Sequence, residues 1–188
     1  MSKELSASQR AYIASTVRSA IDLVFAHWEG ALDLDLDTQY RELLDSTIGT
    51  GDRGQFSREM SAFMAALNNG HTRYHDIEGW SPLSGSLGFH AAPTGSDWMI
   101  TRSWAQGLRA GEVVERINGE APGDAYDQQE RCISASNERG RRRNFFRCPH
   151  LFALKILLRV DGRNVRFRRV PGKREPPMER TAGHWLQH

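Results

Sequence analysis

Two histidines, His71 and His75, stand four residues apart in "HTRYH", a spacing that on a helix brings two imidazoles to one metal ion. The stretch lacks the intervening glutamate of a zinc hydrolase and follows the helix-stopping pair Asn69-Gly70, so it is expected to be extended. On an extended chain the two rings share a face but lie too far apart to grip one ion. No metal site is expected, and no cofactor. The lysines are Lys3, Lys155 and Lys173, and the cysteines are Cys132 and Cys148. Two thiols form neither a ligand cluster nor a disulfide framework. None of the serines sits in a nucleophile elbow. The chain alone is therefore expected to be inactive as a hydrolase.

Charge is distributed unevenly. Residues 1–138 hold 20 acidic and 11 basic side chains, whereas residues 139–174 hold 13 basic and one acidic. A split of this kind can mark a nucleic-acid face, two lobes that attract each other, or a surface for an acidic partner. No nucleic-acid motif or aromatic stacking platform accompanies it, so nucleic acid is not the expected partner. Within it, "ERGRRRNFFRCPH" reads in two ways. It is an amphipathic helix with a solvated basic face and Phe145 and Phe146 buried, or a contact with acidic residues or phosphates. With 188 residues, 39% hydrophobic and 26% charged, the composition is that of a globular protein. No run reaches the ~18–20 apolar residues of a membrane span, so no membrane partner is expected. The start "MSKELSASQR" lacks the apolar core of a secretory signal, which leaves the compartment open.

The elements that position these residues follow from periodicity. In residues 7–28, Tyr12, Ile13, Val17, Ala20, Ile21, Val24, Phe25 and Trp28 predict one amphipathic helix. Asp37 is expected to cap a second helix carrying Tyr40, Leu43, Leu44 and Ile48, ended by Gly49. Asp52 and Gln55 have capping-box spacing for a third, with Phe56, Met60, Phe63, Met64 and Leu67 as its buried stripe. After Gly70 the apolar runs shorten to strand length and Gly and Pro become frequent. "WMITRSW" and "EVVERI" read as strands, and "APGDAYDQQERCISAS" as a helix. "LLRVDGRNVRFRRV" reads as a hairpin turning at Asp161-Gly162. The fold class is α+β: a three-helix unit over residues 1–79, a small β-barrel or sandwich with one or two helices over 80–172, and a linker or arm over 173–188.

"GLRAGEVVERINGE", residues 107–120, places a glycine-bracketed turn, a short strand and an Asn-Gly turn in succession. This arrangement resembles PDZ domains, with Glu112 where those commonly carry Asp. Upstream, "SGSLGF" resembles the PDZ carboxylate-binding loop. The resemblance implies peptide binding by Ser86, Leu87, Gly88 and Phe89. Backbone N–H groups around Gly88 would form an anion nest, Leu87 and Phe89 would wall an apolar pocket, and the ligand would add as a strand. "FMAALNNGHTRYHD" and "DLDLDTQYRELLD" are similar to the helical N-terminal region of the C-terminal processing and tricorn-like serine peptidases. In that family such a region precedes a PDZ-like domain and then a crotonase-like catalytic domain. The likeness spans roughly residues 10–172.

The resemblance implies that this chain is the substrate-recognition portion of a serine-type peptidase. Its implied partners are peptide or protein C-termini and the catalytic domain of the same longer protein. The alternative is a free-standing PDZ-like peptide-binding module or adaptor. In the tricorn-like branch His71 would be the general base for a serine supplied by the catalytic domain. The serine that precedes this histidine there is Gly70 here. In the C-terminal processing branch the base is a lysine of the catalytic domain and the histidine need not be catalytic; His71 would then be structural, capping the helix end or bonding a backbone carbonyl after Gly70. By resemblance the compartment is periplasmic or secreted; it is cytoplasmic if the start is native.

Overall fold

Ser6 opens the first helix, α1 (Ala7–Val24), through a reciprocal capping box with Gln9, which satisfies two otherwise orphaned N–H groups. The computed structural model describes residues 4–76, 87–152 and 155–168. Helix α1 ends four residues earlier than its apolar pattern suggests, because Phe25 turns extended. A separate 3₁₀ turn spans Trp28–Gly30. The buried line is accordingly Arg10, Ala14 and Ile21, while Tyr12 and Val24 face outward. Arg10 is buried and donates to the carbonyls of Leu5 and Ile48. Its positive charge thus lies at the C-terminal end of the second helix, α2 (Leu36–Thr47), where the helix dipole favours a cation.

Asp35, rather than Asp37, caps α2, accepting from the N–H groups of Asp37 and Thr38. Two residues of register separate expectation and structure in the repeated "LDLDLD", where each Asp offers the same cap chemistry. Asp52 caps the third helix, α3 (Arg53–Ala65), as expected. The reciprocal half of its box is absent, because the Gln55 side chain binds Thr50. Phe56, Met60, Phe63, Met64 and Leu67 are all buried, and with Ala14, Ile21 and Leu43 they form one core.

The sheet comprises β1 (Phe89–Thr94), β2 (Asp97–Ser103), β3 (Val113–Ile117), β4 (Lys155–Val160) and β5 (Arg163–Arg168), all antiparallel and hydrogen-bonded in chain order. Asp161 and Gly162 have φ of +42° and +73°, the conformation of a tight hairpin turn matched to strand twist. Phe89 of β1 meets Phe167 of β5 edge-on at 5.9 Å, so the sheet rolls around its contents. Between β3 and β4 the chain leaves the sheet, forming α4 (Pro122–Asp127) and α5 (Glu138–Asn144). This excursion delivers Tyr126, Phe145, Phe146 and Phe152 to a second core with Trp98, Ile100, Val114 and Leu158. The architecture is α+β, helices first and then an antiparallel sheet with two helices. Residues 173–188 lie outside the described residues.

The stretch around 107–120 is a turn locked by a carboxylate. Gly107 and Gly111 take φ of +86° and +93°, values that side chains strongly disfavour. Glu112, 8% exposed, accepts from the Arg109 N–H and from the Arg163 guanidinium. One acidic side chain thereby ties the entry of β3 to β5. The basic run 138–150 is α-helical only over Glu138–Asn144; Phe145 and Phe146 are buried as expected, but on the 3₁₀ turn that follows (Phe145–Arg147), and the arginines of α5 are not all solvated. Arg142 lies 4.5 Å over the Trp98 ring and donates to the carbonyls of Gly95 and Ser96. It straps α5 to the β1–β2 turn.

Candidate functional site

The segment after α3, from Thr72 to Asp76, belongs to neither helix nor strand. His71, Arg73 and His75 are exposed and Thr72 is half-buried, while Tyr74 and Asp76 turn toward α3. The pin is Asp76. Its carboxylate takes two hydrogen bonds from Arg53, at 2.5 and 2.7 Å, and one from the Ser57 hydroxyl at 2.8 Å. Tyr74 packs edge-on against Phe56, and burial, with Asp76 nearby, pushes its hydroxyl up to about 12. Partial burial, with Arg73 adding to it, lowers the His75 imidazole below its ordinary value. The two histidines are both exposed, and among the described residues no cluster of three metal-ligating side chains forms.

His71 is held by its backbone: its N–H donates to the Asn69 side chain at 2.7 Å. Its imidazole is exposed and makes no hydrogen bond among the described residues. The preceding residue faces the sheet unit, since the Gly70 N–H reaches the Ser136 hydroxyl at 3.4 Å. A β-carbon at Gly70 would come 3.9 Å from that same oxygen. Nearby contacts also join the two cores: Arg131 with Glu59, Arg141 with Asn68, and the Cys132 thiol with the Arg58 carbonyl. Beside them lies an open groove of about 530 Å³, floored by Leu43, Ala62 and Phe63 and rimmed by Glu42, Glu59 and Arg131.

The second predicted set begins a different element, at the entry to β1, and among the described residues no hydrogen bond or ring contact joins it to His71. Ser86 falls outside the described residues. Leu87 and Phe89 are both buried in the sheet core, Phe89 against Phe146 and Phe167. Gly88 has φ of +80°, and its carbonyl accepts from the N–H groups of Trp104 and Ala105. The loop leads directly into β1, which pairs with β2 on one side. The Ile100 N–H and carbonyl both bond toward Glu112 and Gly111 on the β3 side. Ala91, opposite Ile100 in the register, must therefore aim its own N–H and carbonyl away from β2. Pro93 shares that orientation two residues on, where its missing N–H costs no ladder bond. Proline in a sheet belongs at such an edge, so Pro93 is the signal in the sequence by which this outer strand, missed above, could have been found.

No protein-family profile and no curated protein matches this chain. A solved structure does. A serine-to-alanine mutant of CPAF, a serine protease, superposes with a TM-score of 0.61 at 14% identity, over 88% of this chain and 34% of the CPAF chain. The chain thus spans about a third of that protein's length. At this identity the likeness is one of fold alone: the helices and the rolled sheet together share an arrangement with part of the CPAF chain.

Proposed function

We propose that this chain is the substrate-recognition portion of a serine-type peptidase. The observation that carries the reading is the fold shared with a serine protease over 88% of the chain. On this reading the sheet unit receives the C-terminal end of a protein or peptide. The carboxylate sits at the turn around Gly88, and the peptide adds as a strand along β1. The outward N–H and carbonyl of Ala91 support this, as does the position of β1 at the sheet edge. The helical unit presents His71, whose exposed imidazole is available to accept a proton from a serine hydroxyl brought by the rest of the peptidase. The tricorn-like and C-terminal processing peptidases are the family this reading names.

The test is direct. A peptide with a free C-terminal carboxylate binds this chain more tightly than its C-terminal amide; equal binding sinks the peptide reading. In the longer peptidase, His71→Ala abolishes turnover while leaving peptide affinity intact, and normal turnover reassigns His71 to structure. The free-standing adaptor is told apart by the mass of the native protein in its source cells, which would match the 21.3 kDa of this chain.

A further inference from the structure

The outer face of the β3–β5 sheet is a second surface, independent of the β1 edge and of His71. Ile156, Leu158 and Val160 point into the core, so Lys155, Leu157 and Arg159 point out. The register places Arg166 opposite Leu157, and Arg116 opposite Arg159. Lys155, Arg159, Arg166 and Arg116 are exposed, and Leu157 is half-buried at their centre. Directly opposed and diagonal partners on one face lie roughly 5–8 Å apart, and like charges at that separation repel. The acidic counterweight is Glu115, already engaged by the Arg159 Nε and the Gly162 N–H. Lys155 and Arg166 make no ion pair or side-chain hydrogen bond among the described residues. Arg159 is held by Glu115 and Arg116 by the Gly119 carbonyl, but no contact among the described residues holds Lys155 or Arg166, and the repulsion between like charges works against the fold.

We infer that this face docks an acidic polypeptide segment. An apolar centre ringed by arginine is the composition of a protein interface, where a buried apolar patch sits inside a polar rim. A phosphate backbone would find no use for Leu157, and among the described residues this face has no exposed aromatic side chain on which a base could stack. The spacing specifies the partner further. Lys155, Leu157 and Arg159 recur at about 6.7 Å, twice the rise of an extended residue. An extended segment with an apolar residue flanked two positions away by carboxylates matches that period, one carboxylate over Lys155 and Arg166 and the other over Arg159 and Arg116. The inference does not rest on the peptidase reading.

The test uses a fluorescein-labelled peptide with a leucine flanked two residues away on each side by glutamate, its glutamine counterpart, and a DNA duplex, titrated with this chain at low and physiological salt. The glutamate peptide binds, its affinity falls with salt as exposed charge pairs require, and the glutamine peptide binds about tenfold more weakly or not at all. Lys155→Glu with Arg166→Glu weakens binding by about tenfold or more, whereas Arg143→Glu on α5 leaves it unchanged. The neutral pair Lys155→Gln and Arg166→Gln loses binding with an unchanged or raised Tm, a combination that a structural role for these cations would not give. Equal binding of the two peptides, an equal loss with Arg143→Glu, or tighter binding of the duplex overturns the proposal; the last would make the partner a nucleic acid.

Discussion

Substituting alanine for Gly88 tests the geometry of the loop before β1 without any ligand. The backbone there has φ of +80°, and holding an L-residue in that region costs about 1–2 kcal/mol. The new β-carbon would stand 2.8 Å from the Ala105 β-carbon, well inside contact distance. Ala105 has little room to retreat, because its N–H is tied to the Gly88 carbonyl at 2.8 Å and to the Ser103 hydroxyl at 3.2 Å. Overpacking of this kind costs about 1–3 kcal/mol. A stiffer unfolded chain returns about 0.4–1 kcal/mol. The net loss is about 1–5 kcal/mol, centred on about 3, which for a chain of this size lowers Tm by roughly 5–15 °C. Gly95→Ala is the internal control: φ is +61° and nothing lies within 4 Å of the added carbon, so only the backbone cost applies, about 1 kcal/mol or less after the same correction. Thermal melts of both variants by circular dichroism and calorimetry give the comparison. If Gly88→Ala is no more destabilising than Gly95→Ala, the close approach of Gly88 to Ala105 is wrong.

Three other outcomes follow from packing and charge. Arg142→Ala removes the guanidinium stacked on Trp98 and its bonds to the Gly95 and Ser96 carbonyls; it lowers stability by about 2 kcal/mol, against less than about 0.5 for the exposed Arg143→Ala, both read by urea denaturation. Asp76→Ala takes the carboxylate from Arg53 and Ser57, so stability falls by about 3 kcal/mol or more and hydrogen exchange accelerates through residues 70–76 first. Stability also falls in alkali. Burial raises the Cys148 thiol from an ordinary 9.0 to about 11 and the Tyr74 hydroxyl from 10.0 to about 12. Both groups keep their protons longer when folded, so their stabilisation is complete below pH ~9 and is lost as pH climbs toward ~12. A Tm that stays flat across that range would contradict the burial of both groups.

Much of the fold was legible because its elements repeat strong local signals. The stripe from Phe56 to Leu67 has a helical period and a core to fill, and Asp161-Gly162 is a turn that few other dipeptides make so well. The first helix was misjudged where tertiary context decides. Val24 and Trp28 fit the helical period, yet the chain turns at Phe25, and the buried line passes through Arg10, a residue no hydrophobic pattern selects. The cap of the second helix slipped by two residues because three aspartates in alternation are equivalent until packing picks one. Among the site residues, the exposure of His71 follows from the helix stop before it. The pin that fixes its segment joins Arg53 to Asp76, partners too distant in sequence for spacing to reveal. The role of Arg142 is hidden for the opposite reason: in a run of three arginines, nothing in the sequence tells which one lies over Trp98, which one reaches Asn68 and which one stays exposed.

The order of strands bears on how the chain acquires its structure in time. β1, β2 and β3 follow one another by short connections, as do β4 and β5, so both pieces are local and inexpensive to close. Joining them is different. Val114 must find Val160 and Ile117 must find Leu158 across the whole excursion that carries α4 and α5. That excursion also supplies Tyr126, Phe145, Phe146 and Phe152 to the interior the sheet encloses. Neither event is favourable alone, since an unfilled sheet has no interior and the aromatic residues have no cavity to enter. Zipping of β3 to β4 and arrival of the aromatic cluster must therefore occur as one step. That step makes the central ladder, rather than the hairpins at either end, the kinetic bottleneck of refolding.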